Sequence, residues 1–350
     1  MEFVEIDGAL GEGGGSILRL SSAFSVLYKR AVRIINIRAN RAKPGLRLQH
    51  LLSLQALAEL TNSELSDCRI GSSEISFFPG SFAAGNKISV SIQTAASIGL
   101  LLQSIQIAAL GLNSKEISID LEGGGTYGKW APSPNYLNRV TYPVFERAGL
   151  KVSLDAGREG FYPRGGARAQ CRIYPSQSRP EGINITELGT VSEIRVNLVV
   201  SMDLRGRGIP ERVAGSFRSK IEEAGLMGAE ISHQYVDSLS TGVGMEAWAE
   251  SETGAIISSG TIIGERHVTS EKLGKMAAEK IARYIQNDIP VDNYLSDQLI
   301  PLMAFIRRPS RIKVLKVTGH AETNLELLRR FTDRNYYIQE LDKGFLIEYL

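Results

Sequence analysis

One order of elements recurs along this chain and restricts its fold more than any single motif. Phe3–Asp7 alternates as a strand and runs into a glycine-rich turn, Gly8–Gly15, after which Ile17, Leu18, Leu20, Phe24 and Leu27 recur near helical spacing. Val32–Arg38 alternates again, Leu46–Leu60 carries a helical apolar stripe, and strands at Glu64–Arg69 and Glu74–Phe78 complete the order βαβαββ. The same order returns as strand Lys87–Gln93, helix Ile98–Leu110, strand Glu116–Leu121, helix Tyr136–Ala148, and strands near Lys151–Leu154 and Ala169–Tyr174. A period of about 80 residues is the economical reading, because such a unit cannot bury its sheet face alone and must pack on its neighbours.

A third copy can be assembled from strand Ile183–Glu187, helix Asp292–Phe305, strand Lys313–Thr318, helix Glu322–Thr332, and strands Tyr336–Glu340 and Phe345–Tyr349. It is interrupted by a block from about Gly189 to Asn287. That block reads as strand Glu193–Met202, helix Glu211–Ala224, strands Glu230–Val236, Met245–Ser251 and Gly254–Ser259, and helix Thr269–Ile285, enough for a small domain. The expected fold class is therefore α/β (α+β), with three βαβαββ-type repeats. Residues 1–184 and 288–350 would form the large domain, and residues 185–287 the inserted small one. A length of 350 residues agrees, since it exceeds what one core usually organises.

Charge and cysteine content exclude several classes. With 40 Lys and Arg against 38 Asp and Glu, the net charge is only +2, so the chain is no polycationic tail. Cys68 and Cys171 sit in no CxxC pair, which argues against a disulfide scaffold or a cysteine zinc site and for a reducing, cytoplasmic setting. The first residues are acidic where a secretion signal is basic. The most apolar helical run, Ser97–Leu110, is short and contains Gln103, Ser104 and Gln106, so no membrane span is expected.

Three local signals carry chemistry. Gly11–Gly15 joins a strand to a helix with Arg19 about one turn in, an arrangement that offers free backbone N–H groups to phosphate. Taken alone it reads more often as a tight turn, and it is neither a Walker loop nor a dinucleotide fingerprint. From Lys29 to Arg47 the chain places Lys29, Arg30, Arg33, Arg38, Arg41, Lys43 and Arg47 with no acid between them. Arg38 and Arg41 enter a loop containing Pro44-Gly45, and arginine suits bidentate phosphate contacts. Of the four histidines, His50 follows Gln49 on a helix face, while His233 and His267 lie in the inserted block away from any motif. His320 follows a strand through Gly319 and precedes the helix begun by Ala321-Glu322-Thr323-Asn324, so its ring is expected at a strand-end turn, where open sheets hold their ligands.

Taken together these segments resemble the RNA 3′-terminal phosphate cyclase family over essentially the whole chain. The resemblance is carried by DGALGEGGGSILR (Asp7–Arg19), IRANRAKPGLRLQH (Ile37–His50), LLLQ (Leu100–Gln103), GGGTYGKWAP (Gly123–Pro132), EGFYPRGG (Glu159–Gly166), YLSDQLIPLMA (Tyr294–Ala304) and GHAETN (Gly319–Asn324). The chain departs from the family's usual pattern at Thr126–Trp130, at Gly165-Gly166-Ala167 and at Asn135-Tyr136.

The resemblance implies an ATP-dependent enzyme that turns an RNA 3′-terminal phosphate into a 2′,3′-cyclic phosphate and releases AMP and pyrophosphate. It implies His320 as the nucleophile of a covalent histidine–AMP intermediate, and Glu12 as a metal or ATP-site carboxylate with Mg²⁺ or Mn²⁺. Arg19, Arg38 and Arg41 would clamp phosphates, and Gln49 and His50 would line the same site. Gln103, Pro132, Tyr294, Asp297 and Gln298, with Leu295 and Ser296 of the same segment, would hold the nucleoside, and Tyr294 and Pro132 are suited to sandwich adenine. The expected partner is the last few nucleotides of an RNA 3′ end, and a homo-oligomer is compatible with the sequence. The rival from another class is a non-catalytic cyclase-like protein acting in ribosome assembly, which keeps the fold but loses the nucleophile. The presence of His320, Glu12, Arg19 and Arg41 favours the enzyme. An enolpyruvate-transferase-like enzyme would share a repeat fold but not the His320 segment or LLLQ.

Overall fold

The first alternating segments pair into a sheet in the computed structural model, which describes residues 3–83, 85–112, 116–175, 180–226 and 228–350. β1 (Val4–Asp7) runs parallel to β2 (Val32–Ile35), β2 is antiparallel to β4 (Ile75–Phe78), and β4 to β3 (Glu64–Leu65), giving the order β1-β2-β4-β3. The parallel first pair needs a crossover, which α1 (Gly15–Tyr28) supplies, and α2 (Leu48–Thr61) links β2 to β3. Val4, Ile6, Val32, Ile34, Ile75 and Phe77 point to one buried face, as period-two alternation requires.

The next sheet repeats this connectivity. β5 (Lys87–Ser97) is parallel to β6 (Ile117–Gly125), which pairs antiparallel with β8 (Arg168–Pro175), and β8 with β7 (Leu150–Arg158). α3 (Ile98–Ala108) crosses between the parallel strands. Between β6 and β7 lie α4 (Pro134–Tyr136), a π-helical turn (Leu137–Thr141) and α5 (Tyr142–Arg147). β9 (Asn184–Ile185) then leads into a five-stranded sheet built from β10 (Val191–Ser201), β11 (Ala229–Val236), β12 (Val243–Ser251), β13 (Ile256–Ser258) and β14 (Ile262–Ile263). It is covered by α6 (Ile209–Glu223) and α7 (Ser270–Gln286), which pack on each other.

The chain continues through α8 (Asn293–Phe305), β15 (Ser310–Val314), α9 (Gly319–Leu328), β16 (Tyr336–Glu340) and β17 (Phe345–Tyr349). β15 pairs in parallel with the distant β9, and the fourth sheet reads β16-β17-β15-β9. All three four-stranded sheets thus join their strands in the chain order first, second, fourth, third. One hydrophobic cluster runs through these three sheets and the helices on them, including Phe24, Leu57, Leu102, Leu299 and Leu325. A second, from Leu188 to Ile289, lies between the five-stranded sheet and α6 and α7. Among the described residues no helix is long and apolar enough to cross a membrane.

Several boundaries differ from the expected ones for local reasons. The strand expected over Val32–Arg38 ends at Ile35, because Asn36 and Arg38 take left-handed backbone angles of φ 51° and 56°. The segment Glu64–Arg69 keeps only two strand residues, and Ile183–Glu187 likewise shrinks to Asn184–Ile185. The helix expected over Tyr136–Ala148 is broken by the π-helical turn, where Pro143 lacks the N–H that an unbroken ladder would use. Strand Lys313–Thr318 is instead Ser310–Val314, and the following helix starts at Gly319 rather than Glu322. His320 therefore sits inside the first turn of α9, not in a loop before it.

Candidate active site

The N-termini of α1 and α9 come together because α1 and α9 pack side by side and Glu12, in the loop before α1, bonds Thr323 of α9. Thr318 caps α9, its Oγ1 accepting from Ala321 N at 2.9 Å. Thr323, one turn on, accepts from Glu12 N at 3.2 Å and donates to Gly319 O at 2.6 Å, which ties the glycine-rich loop to α9. Glycine at 319 allows this approach, since a Cβ there would meet Glu12 Oε1 and push that side chain from its present position. Glu12 Oε2 consequently lies 3.3 Å from His320 Nε2 and 3.6 Å from Arg41 Nη2. Arg41 and His320 also both come near Gly14, the residue that precedes α1.

Three further basic groups close on the same loop. Arg19 is buried, and its Nε donates to Gln103 Oε1 at 2.8 Å. Burial holds the Arg19 guanidinium down at about 10. Among the described residues no carboxylate lies within ion-pair distance of it. His50 packs against Gly15, where any Cβ would collide with His50 Nε2. His50 Nδ1 accepts from Arg47 N at 3.4 Å, which assigns the ring proton to Nε2, the nitrogen facing the loop. Burial, then the charges of Arg19, Arg38 and Arg47, push the imidazole down to about 3, so His50 is a neutral donor at any ordinary pH. Arg38 is partly buried, its Nε finds no partner, and burial together with Arg41 and Arg47 lowers its guanidinium. The cluster offers cationic and N–H donors with Glu12 as its one paired carboxylate, an arrangement that attracts a polyanion.

Three members of the expected basic run are engaged elsewhere. Arg33 pairs with Glu74 and Glu5, Lys29 bonds Gly80 O and Ser81, and Arg30 donates to Arg330 O. His233 stands edge-on to Tyr235 in the five-stranded sheet, and His267 occupies a turn at φ 72°. Cys68 and Cys171 are both free thiols, and burial pushes the Cys171 thiol up to about 12.

The residues expected at the nucleoside divide. Gln49 Oε1 accepts from Ser97 N at 3.5 Å, at the start of α3 whose next turn carries Gln103. Tyr294 is 42% exposed, stands edge-on to Tyr136 at 6.4 Å, packs on Gly260, and takes a hydrogen bond from Lys280 Nζ at 2.9 Å. Pro132 is half-buried beside Gly99. Leu295 and Ser296 are buried in α8, with Ser296 Oγ donating to Asn293 O. Gln298 accepts from Thr141 Oγ1 at 3.1 Å and donates to Tyr294 O. Asp297 accepts from Thr318 Oγ1 at 2.5 Å, and its backbone carbonyl accepts from Asn324 Nδ2, so it braces the turn that carries His320. Burial, then the charges of Asp292 and Glu12, push the Asp297 carboxyl up to about 7 against that hydrogen bond.

Sequence reasoning assigned no role to Thr318 or Thr323. A threonine just before Gly-His at a helix start is a capping signal that could have found Thr318. Thr323 had none, since its partner lies 311 residues away. Among the described residues, no group of three or more His, Cys, Asp or Glu side chains could cage a metal unaided. A single carboxylate such as Glu12 fits the mode in which Mg²⁺ takes one protein ligand and phosphate oxygens.

Known proteins resemble this chain over nearly its whole length. A family model described as RNA 3′-terminal phosphate cyclase matches residues 10–338. A protein of Methanothermobacter thermautotrophicus named RNA 3′-terminal phosphate cyclase is 35% identical, over 96% of this chain and 96% of its own length. A protein of the same name from Thermococcus kodakarensis is 37% identical over 95% of this chain and 93% of its own. Another from Pyrobaculum aerophilum is 35% identical over 99% and 97%.

Proposed function

The chain belongs to the RNA 3′-terminal phosphate cyclase family and is an enzyme of that family, and from this premise we propose that it activates an RNA 3′-phosphate with ATP through a covalent histidine–AMP intermediate. The observation that carries the reading is the approach of His320 Nε2 and Arg41 to Glu12, 3.3 and 3.6 Å away, between two helix N-termini. A phosphate monoester is a poor electrophile, because the attacking 2′-OH would have to expel an oxide. Adenylation supplies the leaving group.

In the first step the His320 Nε2 lone pair attacks the α-phosphorus of ATP, the P–O bond to pyrophosphate breaks, and a P–N bond forms. Any proton that Nε2 shares with Glu12 must leave first, so Glu12 would set when the nucleophile is free. A 3′-phosphate oxygen then attacks the same phosphorus and releases His320. Finally the adjacent 2′-OH attacks the 3′-phosphorus and expels AMP, an intramolecular displacement favoured by proximity. Arg19, Arg38, Arg41 and neutral His50 would stabilise charge on the phosphate oxygens during these steps. Glu12 would hold Mg²⁺ or Mn²⁺, which when bound neutralises triphosphate charge. Gln103, Pro132 and Tyr294 would bound the nucleoside, while Asp297 and Gln298 would hold α8 and α9 in place. The proposal includes the division into residues 1–184 with 288–350 and an inserted 185–287, and a cytoplasmic setting.

The test is incubation with α-labelled ATP and Mg²⁺ or Mn²⁺, followed by denaturing electrophoresis. Label retained on wild type and absent from His320→Ala supports the proposal. Label retained on both overturns it.

A further inference from the structure

A cleft of about 1620 Å³ opens between the loops of the second sheet and the end of the five-stranded sheet, outside the phosphate site. Its lining includes Gln49 and Ser97, and Gln49 precedes the His50 that packs on the glycine-rich loop, so the cleft reaches the helix that borders the site. The walls are joined at their base. Tyr127 and Phe161 stack at 5.4 Å and pack against Gly244 and Gly242, and Arg164 N donates to Ser240 Oγ at 3.1 Å.

Two large exposed aromatics, one lining the cleft and one between lining residues, have no hydrophobic reason to be there. Tyr162 lines the cleft and is 79% exposed. Trp130 lies between the lining residues Lys129 and Ala131, is 92% exposed, and is held at φ 58°. A bulky residue in that conformation is strained, and the strain turns an indole into solvent instead of relieving itself inward. Arg164, Arg207 and Arg266 line the same space, are exposed, and have no carboxylate within ion-pair distance among the described residues. Lys129 is already paired with Glu265 at 2.6 Å, and the lining also carries Asp203, which accepts from Thr241, and Asp237, so cations outnumber carboxylates five to three.

Exposed rings beside unpaired arginines form the surface that holds single-stranded nucleic acid, with bases on the rings and phosphates on the guanidinium groups. We propose that this cleft takes the single-stranded RNA segment immediately 5′ of the reacting terminus, with Trp130 and Tyr162 as stacking platforms and Arg164 and Arg207 on the backbone. The inference rests on the reading that an RNA 3′-phosphate is the substrate. It adds that substrate length matters although sequence does not, because stacking and phosphate contacts tolerate any base.

The experiment uses the full chain with 3′-phosphorylated RNAs of two and twelve nucleotides, a blunt duplex carrying the same end, and α-labelled ATP. Wild type should show a KM at least fivefold lower for the single-stranded 12-mer than for the dinucleotide, and no such gain for the duplex. Trp130→Ala with Tyr162→Ala should erase that difference while leaving the dinucleotide KM and covalent labelling unchanged. Arg164→Ala and Arg207→Ala should each lower the salt slope of 12-mer binding by roughly 0.7. A wild-type KM independent of length, an equal gain for the duplex, or variants that lose dinucleotide and 12-mer turnover alike would each overturn the proposal. Labelling and dinucleotide cyclisation that persist through such a result would leave the adenylation reading standing, whereas absence of both from wild type would remove that reading first.

Discussion

Replacing Arg19 by methionine asks whether the site is built as a positive cavity waiting for an anion. Arg19 is 7% exposed, and its side chain has Gln103 Oε1 as its one partner among the described residues. The fall of its guanidinium to about 10 is worth about 3 kcal/mol against the folded, ligand-free state. At neutral pH, well below both the folded and the unfolded value, the whole of that cost is present. Methionine removes the charge and fills much of the volume, but leaves Gln103 Oε1 unpaired, at about 1 kcal/mol. Arg19→Met is therefore expected to raise the unfolding free energy of the ligand-free protein by roughly 1–2 kcal/mol, as replacement of poorly compensated buried charge does elsewhere. The same change removes a charged hydrogen bond to phosphate worth roughly 1.5–3 kcal/mol, so ATP should bind about 10- to 150-fold more weakly. Urea unfolding with and without ATP measures both quantities in one series. A variant destabilised by 2 kcal/mol or more, roughly the reverse of the expected sign, yet stabilised by ATP as much as wild type, would refute the reasoning and make Arg19 a packing cation.

His320→Ala should abolish covalent label from α-labelled ATP with the fold intact by circular dichroism, whereas His233→Ala and His267→Ala should retain it; equal loss in all three would point to a general defect. Tyr294→Ala should raise the ATP concentration needed for labelling by roughly 5- to 150-fold, the cost of about 1–3 kcal/mol of lost stacking, while sparing AMP transfer from preformed intermediate to RNA. A drop in thermal stability with no change in the ATP requirement would instead make Tyr294 a packing residue between Tyr136 and Gly260. Burial pushes the Glu246 carboxyl up to about 7, where Ser133 and Asn135 donate to it. An acid with a raised folded value is protonated in the native state when the unfolded chain has already released its proton. Its contribution to stability is thus whole below about 4.5, the unfolded value, and lost as pH climbs through about 7. Glu246→Gln should flatten the stability decline over that window by up to about 3 kcal/mol, and parallel urea-midpoint curves for variant and wild type would count against it.

What was legible in the sequence, and what was not, follows from how far apart the interacting residues lie. Alternation and helical spacing are local, so the strands of the first and second sheets and their crossover helices could be read from Val4–Asp7 or Ile98–Ala108 alone. The strand ends could not. Ile37 and Arg38 continue the polar–apolar pattern of β2, yet the chain turns at Asn36 and Arg38 with positive φ, so that Gly45 N can reach Ile37 O at 2.8 Å. That turn brings Arg41 to Glu12, sets the Arg38 backbone N–H on Gly8 O, and leaves Arg33 on the outer face with Glu74. A run of seven basic residues thus separates into members engaged elsewhere and members gathered at the glycine-rich loop by backbone angles that no side-chain pattern announces.

The same limit applies to protonation. His50 and His320 both pack near a glycine at a helix start, and the sequence separates them only by placement, His50 on a helix face after Gln49 and His320 at a strand-end turn, and by family resemblance. The structure separates them physically. His50 is 7% exposed and surrounded by Arg19, Arg38 and Arg47, so burial and those charges confine it to the neutral form, with Nδ1 accepting from Arg47 N and the proton left on Nε2. His320 is about half exposed, and its Nε2 faces a carboxylate rather than a guanidinium, so an electrophilic phosphorus can reach it. A buried ring kept neutral and a half-exposed ring held against a carboxylate are different environments, and the difference arises first from burial of His50, then from the arginines around it, and from the approach of Glu12, 308 residues away in the chain, to His320.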